Sequence, residues 1–182
     1  MKQREKIIPR AQGTVLEVGI GSGLNLEYYN KSQINKLYGL DPSKELWKLS
    51  KTINSPEFDF EFIQGYSNNI PADNNSIDTI VITYTLCTIG ELEETFDEFR
   101  RVLKVNGRIA FCEHGIAPDR SVQKWQNRIN PVWKVFSGGC NLNRDIPKII
   151  REGGFKIEDL DTMYIPGWKA ASFNYWGMAK ID

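Results

Sequence analysis

Short apolar runs alternate along the chain with segments that repeat at helical spacing. Five runs predict parallel strands, because the segment after each is long enough to cross back over a sheet: Thr14–Val18, Lys36–Leu40, Phe58–Ile63, Ile77–Thr83 and Arg108–Cys112. Two final runs, Phe155–Met163 and Ala171–Ile181, predict an antiparallel hairpin. The pattern predicts a doubly wound, mostly parallel seven-stranded α/β sheet with helices on both faces, in a single domain over residues 1–182.

The segments between these runs predict the helices. The clearest is Glu91–Lys104, whose apolar side chains share one helical face. Ser43 is placed to cap a helix that carries Leu46, Trp47 and Leu49. Further helices are expected at three places: from the glycine turn after the first strand to about Asn30, over Trp125 to Phe136 with an interruption at Pro131, and over Asp145–Glu152.

Composition narrows the classes of function. The 23 basic and 23 acidic side chains cancel, which argues against a nucleic-acid partner bound through bulk positive charge. No apolar stretch is long enough to span a bilayer, and the N-terminus lacks the apolar core of a signal peptide. Three scattered cysteines, one histidine and no Cys-x-x-Cys pair predict a cytoplasmic protein with no disulfide framework and no metal site.

A glycine turn follows the first predicted strand. Its glycines, Gly19, Gly21 and Gly23, would let a ligand approach the backbone at the carboxyl end of the sheet. Leu24 stands where a dinucleotide-binding turn would have its third glycine, and Glu17 would repel a pyrophosphate but suit a cationic ligand. An NAD-dependent oxidoreductase is therefore disfavoured.

An acid stands at the end of the second predicted strand. Asp41 follows the glycine turn by about 20 residues, the spacing at which a carboxylate accepts hydrogen bonds from the ribose of an adenosine ligand. The alternative is that Asp41 only caps the helix after Pro42. The sequence favours the ribose contact.

Four segments in this order resemble the class I S-adenosylmethionine (SAM)-dependent methyltransferases, which have a Rossmann-like sheet: residues 15–23, 38–43, 68–78 and 99–107. The resemblance implies that the glycine turn holds the methionine part of SAM and that Asp41, beside Pro42, holds the ribose. Tyr66 and Ser67 would flank the adenine, and the Thr83 backbone would contact the methionine end. Tyr66 stands where many relatives have Asp, so a ring stack would replace that contact. The product would be S-adenosylhomocysteine (SAH).

The methyl acceptor is harder to read from the sequence. Glu113 and His114, at the end of the fifth predicted strand, are candidates for taking a proton from the acceptor, and Cys87, Trp125 and Trp133 are candidates for its pocket. The alternative roles are structural: a loop contact for His114, ordering of the following helix for Glu113, and the hydrophobic core for the other three.

Scattered motifs from Glu113 to Leu142 resemble the methyltransferase-like branch that includes thiol S-methyltransferases. That resemblance favours a small or apolar thiol as acceptor. Oxygen or nitrogen acceptors on small or lipid-like molecules, peripheral contact with a membrane, and a SAM-binding regulator without turnover remain open.

Overall fold

Seven strands form one sheet in a computed structural model that describes residues 2–50 and 58–182. Their bounds are β1 Gly13–Val18, β2 Ile34–Asp41, β3 Asp59–Gln64, β4 Ile77–Thr83, β5 Leu103–His114, β6 Phe155–Tyr164 and β7 Phe173–Ile181. The order across the sheet is β3-β2-β1-β4-β5-β7-β6. Strands β1 to β5 run parallel, and β7 pairs antiparallel with both β5 and β6. The predicted sheet and its C-terminal hairpin are confirmed.

Helices cover both faces of the sheet, as the sequence predicts. The α-helices are α1 Arg4–Ile7, α2 Lys44–Lys48, α3 Leu92–Val102, α4 Arg120–Phe136 and α5 Ile146–Glu152. One face packs against α3 and α5, and the other against α1 and the 3-10 turn Leu26–Tyr28. Neighbouring β1 residues serve opposite faces, since Leu16 belongs to the first cluster and Val15 to the second.

The strand order places a crevice at the carboxyl edge of the sheet. Strand β1 has β2 on one side and β4 on the other, so the connections after β1 and β4 leave in opposite directions. In open α/β sheets ligands bind at such a switch point. Ser43 accepts a hydrogen bond from the Leu46 amide at 3.2 Å and so starts α2 beside this edge, as predicted.

The predicted helix between the glycine turn and Asn30 is wrong. Turns and the short 3-10 helix Leu26–Tyr28 occupy this segment instead. Gly19, Gly21 and Gly23 all have positive φ, between 53° and 76°, a conformation that stops a right-handed helix from propagating. The amides of Gly23, Leu26 and Tyr28 accordingly bond to carbonyls three residues earlier.

The predicted interruption at Pro131 is also wrong, because α4 runs through it. Proline leaves the carbonyl four residues before it, that of Asn127, without an amide donor. Both residues lie on the exposed side of the helix, where water can satisfy that carbonyl. Smaller differences concern α3, which ends at Val102 rather than Lys104, and β5, which begins at Leu103.

Within the described ranges, no helix combines the length and the apolar character needed to cross a membrane.

Candidate active site

A cavity of about 470 Å³ opens at the carboxyl edge of the sheet. It lies where β1, β2 and β4 end, and the turn after β3 closes its far side. Its walls are formed by Val18, Gly19, Gly21, Leu40, Asp41, Pro42, Leu46, Gly65, Tyr66, Ser67, Asn68, Tyr84, Thr85, Thr88, Ile89, Gly90 and Glu91. Its size and mixed lining suit a small organic ligand.

The glycine turn forms one wall of the cavity. A Cβ at Gly19 would overlap the Thr85 hydroxyl, whereas a Cβ at Gly21 would meet no atom within 4 Å. Gly21 therefore presents its backbone directly to the cavity. Gly23 lies behind the turn, where a Cβ would crowd Leu26.

Asp41 links this turn to the start of α2. Its Oδ2 accepts the Gly21 amide at 2.9 Å, and its Oδ1 accepts the Ser43 amide at 2.8 Å. These bonds fix the carboxylate at the cavity wall and leave each oxygen a second lone pair for a ligand hydroxyl. The structure thus combines both roles considered for Asp41, since it orders the chain around Pro42 and also faces the cavity.

Tyr66 and Ser67 stand on the opposite wall, as the sequence predicts. The Tyr66 ring is 68% exposed, so it lies on the rim. The Ser67 hydroxyl is 2.9 Å from the Thr95 hydroxyl of α3. This bond fixes Ser67, while the Tyr66 ring is free to lie over a bound ring.

Glu17 and Thr83 lie beneath the cavity rather than in its wall. Glu17 accepts the Asn25 amide at 2.9 Å and the Tyr29 hydroxyl at 2.7 Å. The Thr83 hydroxyl accepts the same Asn25 amide at 3.0 Å. Burial raises the pKa of Glu17 to about 7, although both of its hydrogen bonds act in the opposite direction.

Arg4 joins this buried network from α1. Its guanidinium donates to the Asn25 side-chain oxygen and, over 3.2 Å, to the Thr83 hydroxyl. It lies 5.2 Å from the centre of the Tyr84 ring, which lines the cavity. Its Nε is buried without a hydrogen-bond partner. No local sequence pattern indicates this contact, since 79 positions separate Arg4 from Thr83.

Glu113 orders the turn after β4. Its Oε1 accepts the amides of Thr85 at 2.7 Å and Leu86 at 2.9 Å, and the residue is fully buried. Burial raises its pKa to about 7. Glu113 is therefore not in the cavity wall, and it positions Thr85, which is.

His114 lies behind the Tyr84 ring, with the two ring centres 6.1 Å apart. Its Nε2 is 2.8 Å from the Cys140 Sγ. Burial opposes a positive charge on the ring, but the bond to Cys140, the charges of Cys140 and Glu113 and a backbone contact with Asn141 together outweigh it, so the pKa of His114 is raised. The pKa of Cys140 is lowered by its contacts with Cys87 and His114. Such a pair favours a thiolate beside an imidazolium.

The three predicted pocket residues occupy different places. Cys87 is buried one residue before Thr88 of the cavity wall, with its Sγ 3.5 Å from the Thr88 hydroxyl. Trp133 packs against Trp168, with ring centres 5.7 Å apart. Trp125 is 60% exposed and lines a shallow groove on the outer side of α4. None of the three lines the main cavity.

A family model described as a methyltransferase domain matches residues 16–111, which contain the second half of β1, all of β2, β3 and β4, and most of β5. The chain belongs to the class I SAM-dependent methyltransferase family. The methyl donor of this family is SAM, and the matched segment holds every residue of the cavity wall.

Curated relatives of this chain include two thiol S-methyltransferases. The rat protein TMT1B is 32% identical over 153 residues, which are 81% of this chain and 62% of that protein. The human protein TMT1A is 27% identical over 176 residues, 94% of this chain and 72% of that protein. The chain thus spans between three fifths and three quarters of the length of these relatives.

The structure of this chain resembles solved members of the fold. Geranyl diphosphate C-methyltransferase from Streptomyces coelicolor, in complex with Mg²⁺, geranyl diphosphate and SAH, matches with a TM-score of 0.74 at 15% identity. That match covers all of this chain and 79% of the other. YcgJ from Bacillus subtilis matches with a TM-score of 0.70 at 14% identity, over 98% and 96% of the two chains. Identities this low show the shared fold alone.

Proposed function

We propose that this chain transfers the methyl group of SAM to a small acceptor, with thiol sulfur favoured, and acts as one domain over residues 1–182. The observation that supports this proposal most directly is the cavity, in which the Gly19–Gly21 backbone and the fixed Asp41 carboxylate face one another. The methionine part would lie along the turn and the ribose hydroxyls on Asp41, with Pro42 beside them. The adenine would lie between Tyr66 and Ser67.

Arg4 and Glu17 suit the two charged ends of the methionine part. The Arg4 guanidinium stands beside Asn25 and Thr83, near the turn, and can attract the ligand carboxylate. The buried Glu17 carboxyl lies under the same turn and favours a nearby positive charge. Gly23 and Thr83 would then support the site from behind rather than contact the ligand.

Two observations favour a thiol as acceptor. Two relatives that match over most of the chain are named thiol S-methyltransferases. Among the residues that the structure describes, histidine and lysine are also missing from the cavity wall, where the titratable groups are Asp41, Tyr66, Tyr84 and Glu91. Thiols are partly ionised near neutral pH and react without a strong base, whereas hydroxyls need one.

The rate at which SAH forms measures which acceptor the chain prefers. We expect SAH to form fastest with small apolar thiols when the purified chain is given SAM and a matched panel of thiols, phenols and amines. The thiol rate should rise with pH as the free thiol ionises. Faster transfer to a phenol or amine would move the assignment to an O- or N-methyltransferase. SAM binding without transfer to any member would contradict the thiol assignment and favour a SAM-binding regulator.

We also propose that the protein lies in the cytoplasm, contacts a lipid surface and has no nucleic-acid partner. The outer side of α4 exposes apolar side chains beside Trp168, and we call this set the α4 apolar face: Trp125, Val132, Val135, Phe136 and Trp168. Basic side chains from the same helix and from Lys169 flank it. Tryptophans with flanking lysines and arginines are typical of surfaces that enter the headgroup region of anionic membranes.

A further inference from the structure

Three side chains that can bind a metal converge beside the cavity. Cys87 lies in the turn after β4, His114 at the end of β5, and Cys140 in the loop after α4. The two Sγ atoms and a ring nitrogen of His114 all lie within 4.8 Å of one another. The proposed contacts with SAM use none of these three residues.

The segments that carry the two cysteines are tied together without using the thiols. The Cys87 carbonyl accepts the backbone amide and the side-chain amide of Asn141, each at 2.9 Å. The Leu142 amide donates to the Asn130 side chain of α4 at 2.7 Å. Gly138 and Gly139, with φ of 66° and 96°, turn the chain so that Cys140 points back toward Cys87. Bonds of this kind hold metal ligands in place.

The surroundings of the cluster favour thiolates. The indole Nε1 of Trp133 is buried, and the only polar atom that it approaches among the described residues is the Cys140 sulfur. The Arg144 guanidinium donates to the Leu86 carbonyl, next to Cys87. An unpaired buried donor and a nearby cation both stabilise a negative charge on sulfur.

We propose that Cys87, His114 and Cys140 bind a zinc ion through two thiolates and one imidazole nitrogen. This ligand set is one that proteins use for a catalytic zinc with an open fourth position. Tetrahedral Zn–S and Zn–N bonds separate the ligand atoms by about 3.7 Å. The Cys140 Sγ and His114 Nε2 atoms are 2.8 Å apart, and all three ligand atoms lie within 4.8 Å of one another. Side-chain rotations that move these atoms by about 1 Å would therefore admit the ion.

The sequence did not predict this site. The three residues are separated by more than twenty positions each, and they lack the short Cys-x-x-Cys spacing by which zinc sites are recognised. Only the fold brings the ends of β4 and β5 together with the loop after α4.

The fourth position suggests a role in the reaction, and this step rests on the proposed function. Thr88 and Tyr84 separate the cluster from the cavity by a single layer of side chains. An acceptor thiol bound to zinc would lose its proton to solvent. Its sulfur would then bond to the methyl carbon as the bond from that carbon to the sulfonium breaks, and neutral SAH would leave.

Metal analysis of the purified chain tests the zinc site without using SAM or an acceptor. The chain is incubated with excess Zn²⁺ under reducing conditions, desalted and measured by plasma mass spectrometry. We expect one zinc per chain in the wild type and in Cys112→Ala, the control, because Cys112 is a buried cysteine of β5 outside the cluster. Cys87→Ala and Cys140→Ala should fall to background.

Zinc at background in the wild type, with all three thiols free, would overturn the proposal. So would equal loss of zinc in Cys112→Ala and Cys87→Ala. A protein that retains only one free thiol and binds no zinc would show that Cys87 and Cys140 form a redox-active disulfide instead.

Cobalt substitution of the wild type keeps the test independent of how the variants fold. Co²⁺ in this ligand set should give the intense visible bands of a tetrahedral site and a thiolate charge-transfer band. Weak octahedral bands alone would overturn the proposal. A shift of the tetrahedral bands on adding a thiol acceptor would support the fourth-position role, and an unchanged spectrum would remove that role while leaving the metal site in place.

Discussion

Asp41 combines a structural and a ligand-facing role in one carboxylate. Its bonds to the Gly21 and Ser43 amides hold the two turns that border the cavity. The sequence could indicate Asp41 because its spacing from the glycine turn reflects one βαβ unit, in which neighbouring strand ends are close by construction. The same local logic indicated Gly19 and Gly21, and the family resemblance indicated Pro42, Tyr66 and Ser67; the structure places all five at the cavity.

Arg4 and Tyr84 show why other parts of the site escaped prediction. Arg4 reaches Thr83 across 79 residues, and no local pattern reports such a contact. Thr83 was expected to contact the ligand through its backbone; its hydroxyl bonds to Asn25, and the two residues after it, Tyr84 and Thr85, line the cavity. Tyr84 does so from a positive φ of 53°, which turns the chain abruptly after β4.

Asp41→Ala should weaken SAH binding by about 1.5–3 kcal/mol, the range for hydrogen bonds to a charged group. That corresponds to roughly a tenfold to hundredfold rise in the calorimetric Kd. Asp161→Ala, which removes an exposed carboxylate of β6, is the matched control and should bind as the wild type does. Thermal melting should show both variants folded. Unchanged affinity in a folded Asp41→Ala protein would remove Asp41 from the site.

Helix α4 shows how burial determines which residues a helix tolerates and which side chains it exposes. Val122 packs into the core and Gln126 is buried, with its amide bonded to the carbonyls of Gly115, Leu142 and Ala170. The opposite side of the helix carries Pro131 and the α4 apolar face. Local propensity suggested a break at Pro131, but the exposed position of the unpaired carbonyl makes proline tolerable there.

The α4 apolar face should bind vesicles that contain anionic lipid. We expect the wild type to sediment with phosphatidylserine vesicles and much less with neutral ones, because its basic flank adds to the apolar contact. Val132→Ser combined with Phe136→Ser should reduce the bound fraction. Val105→Ser removes an exposed apolar side chain near the start of β5. This control change should leave the bound fraction at the wild-type level.

Failure of the wild type to sediment with anionic vesicles would contradict the lipid assignment. A dimer in solution that the Val132 and Phe136 changes convert to a monomer would assign this face to a second copy of the chain instead.

The overall fold was easier to predict from the sequence than the single elements or the site residues. The order of motifs along the chain reflects the order of strands in a doubly wound sheet, and alternating apolar runs report strands buried on both faces. The structure confirms seven strands with a terminal antiparallel pair. Predictions failed where glycines with positive φ stop a helix, as after β1, and where the fold alone gathers residues, as at Cys87, His114 and Cys140.

The central claim is that the cavity beside the glycine turn and Asp41 binds SAM. Calorimetric titration of the purified chain with SAH, repeated with NAD⁺, tests it most directly. We expect saturable binding of one SAH per chain, weaker binding in Asp41→Ala, and no heat of binding with NAD⁺. A folded chain that binds NAD⁺ but not SAH, or binds neither, would contradict it.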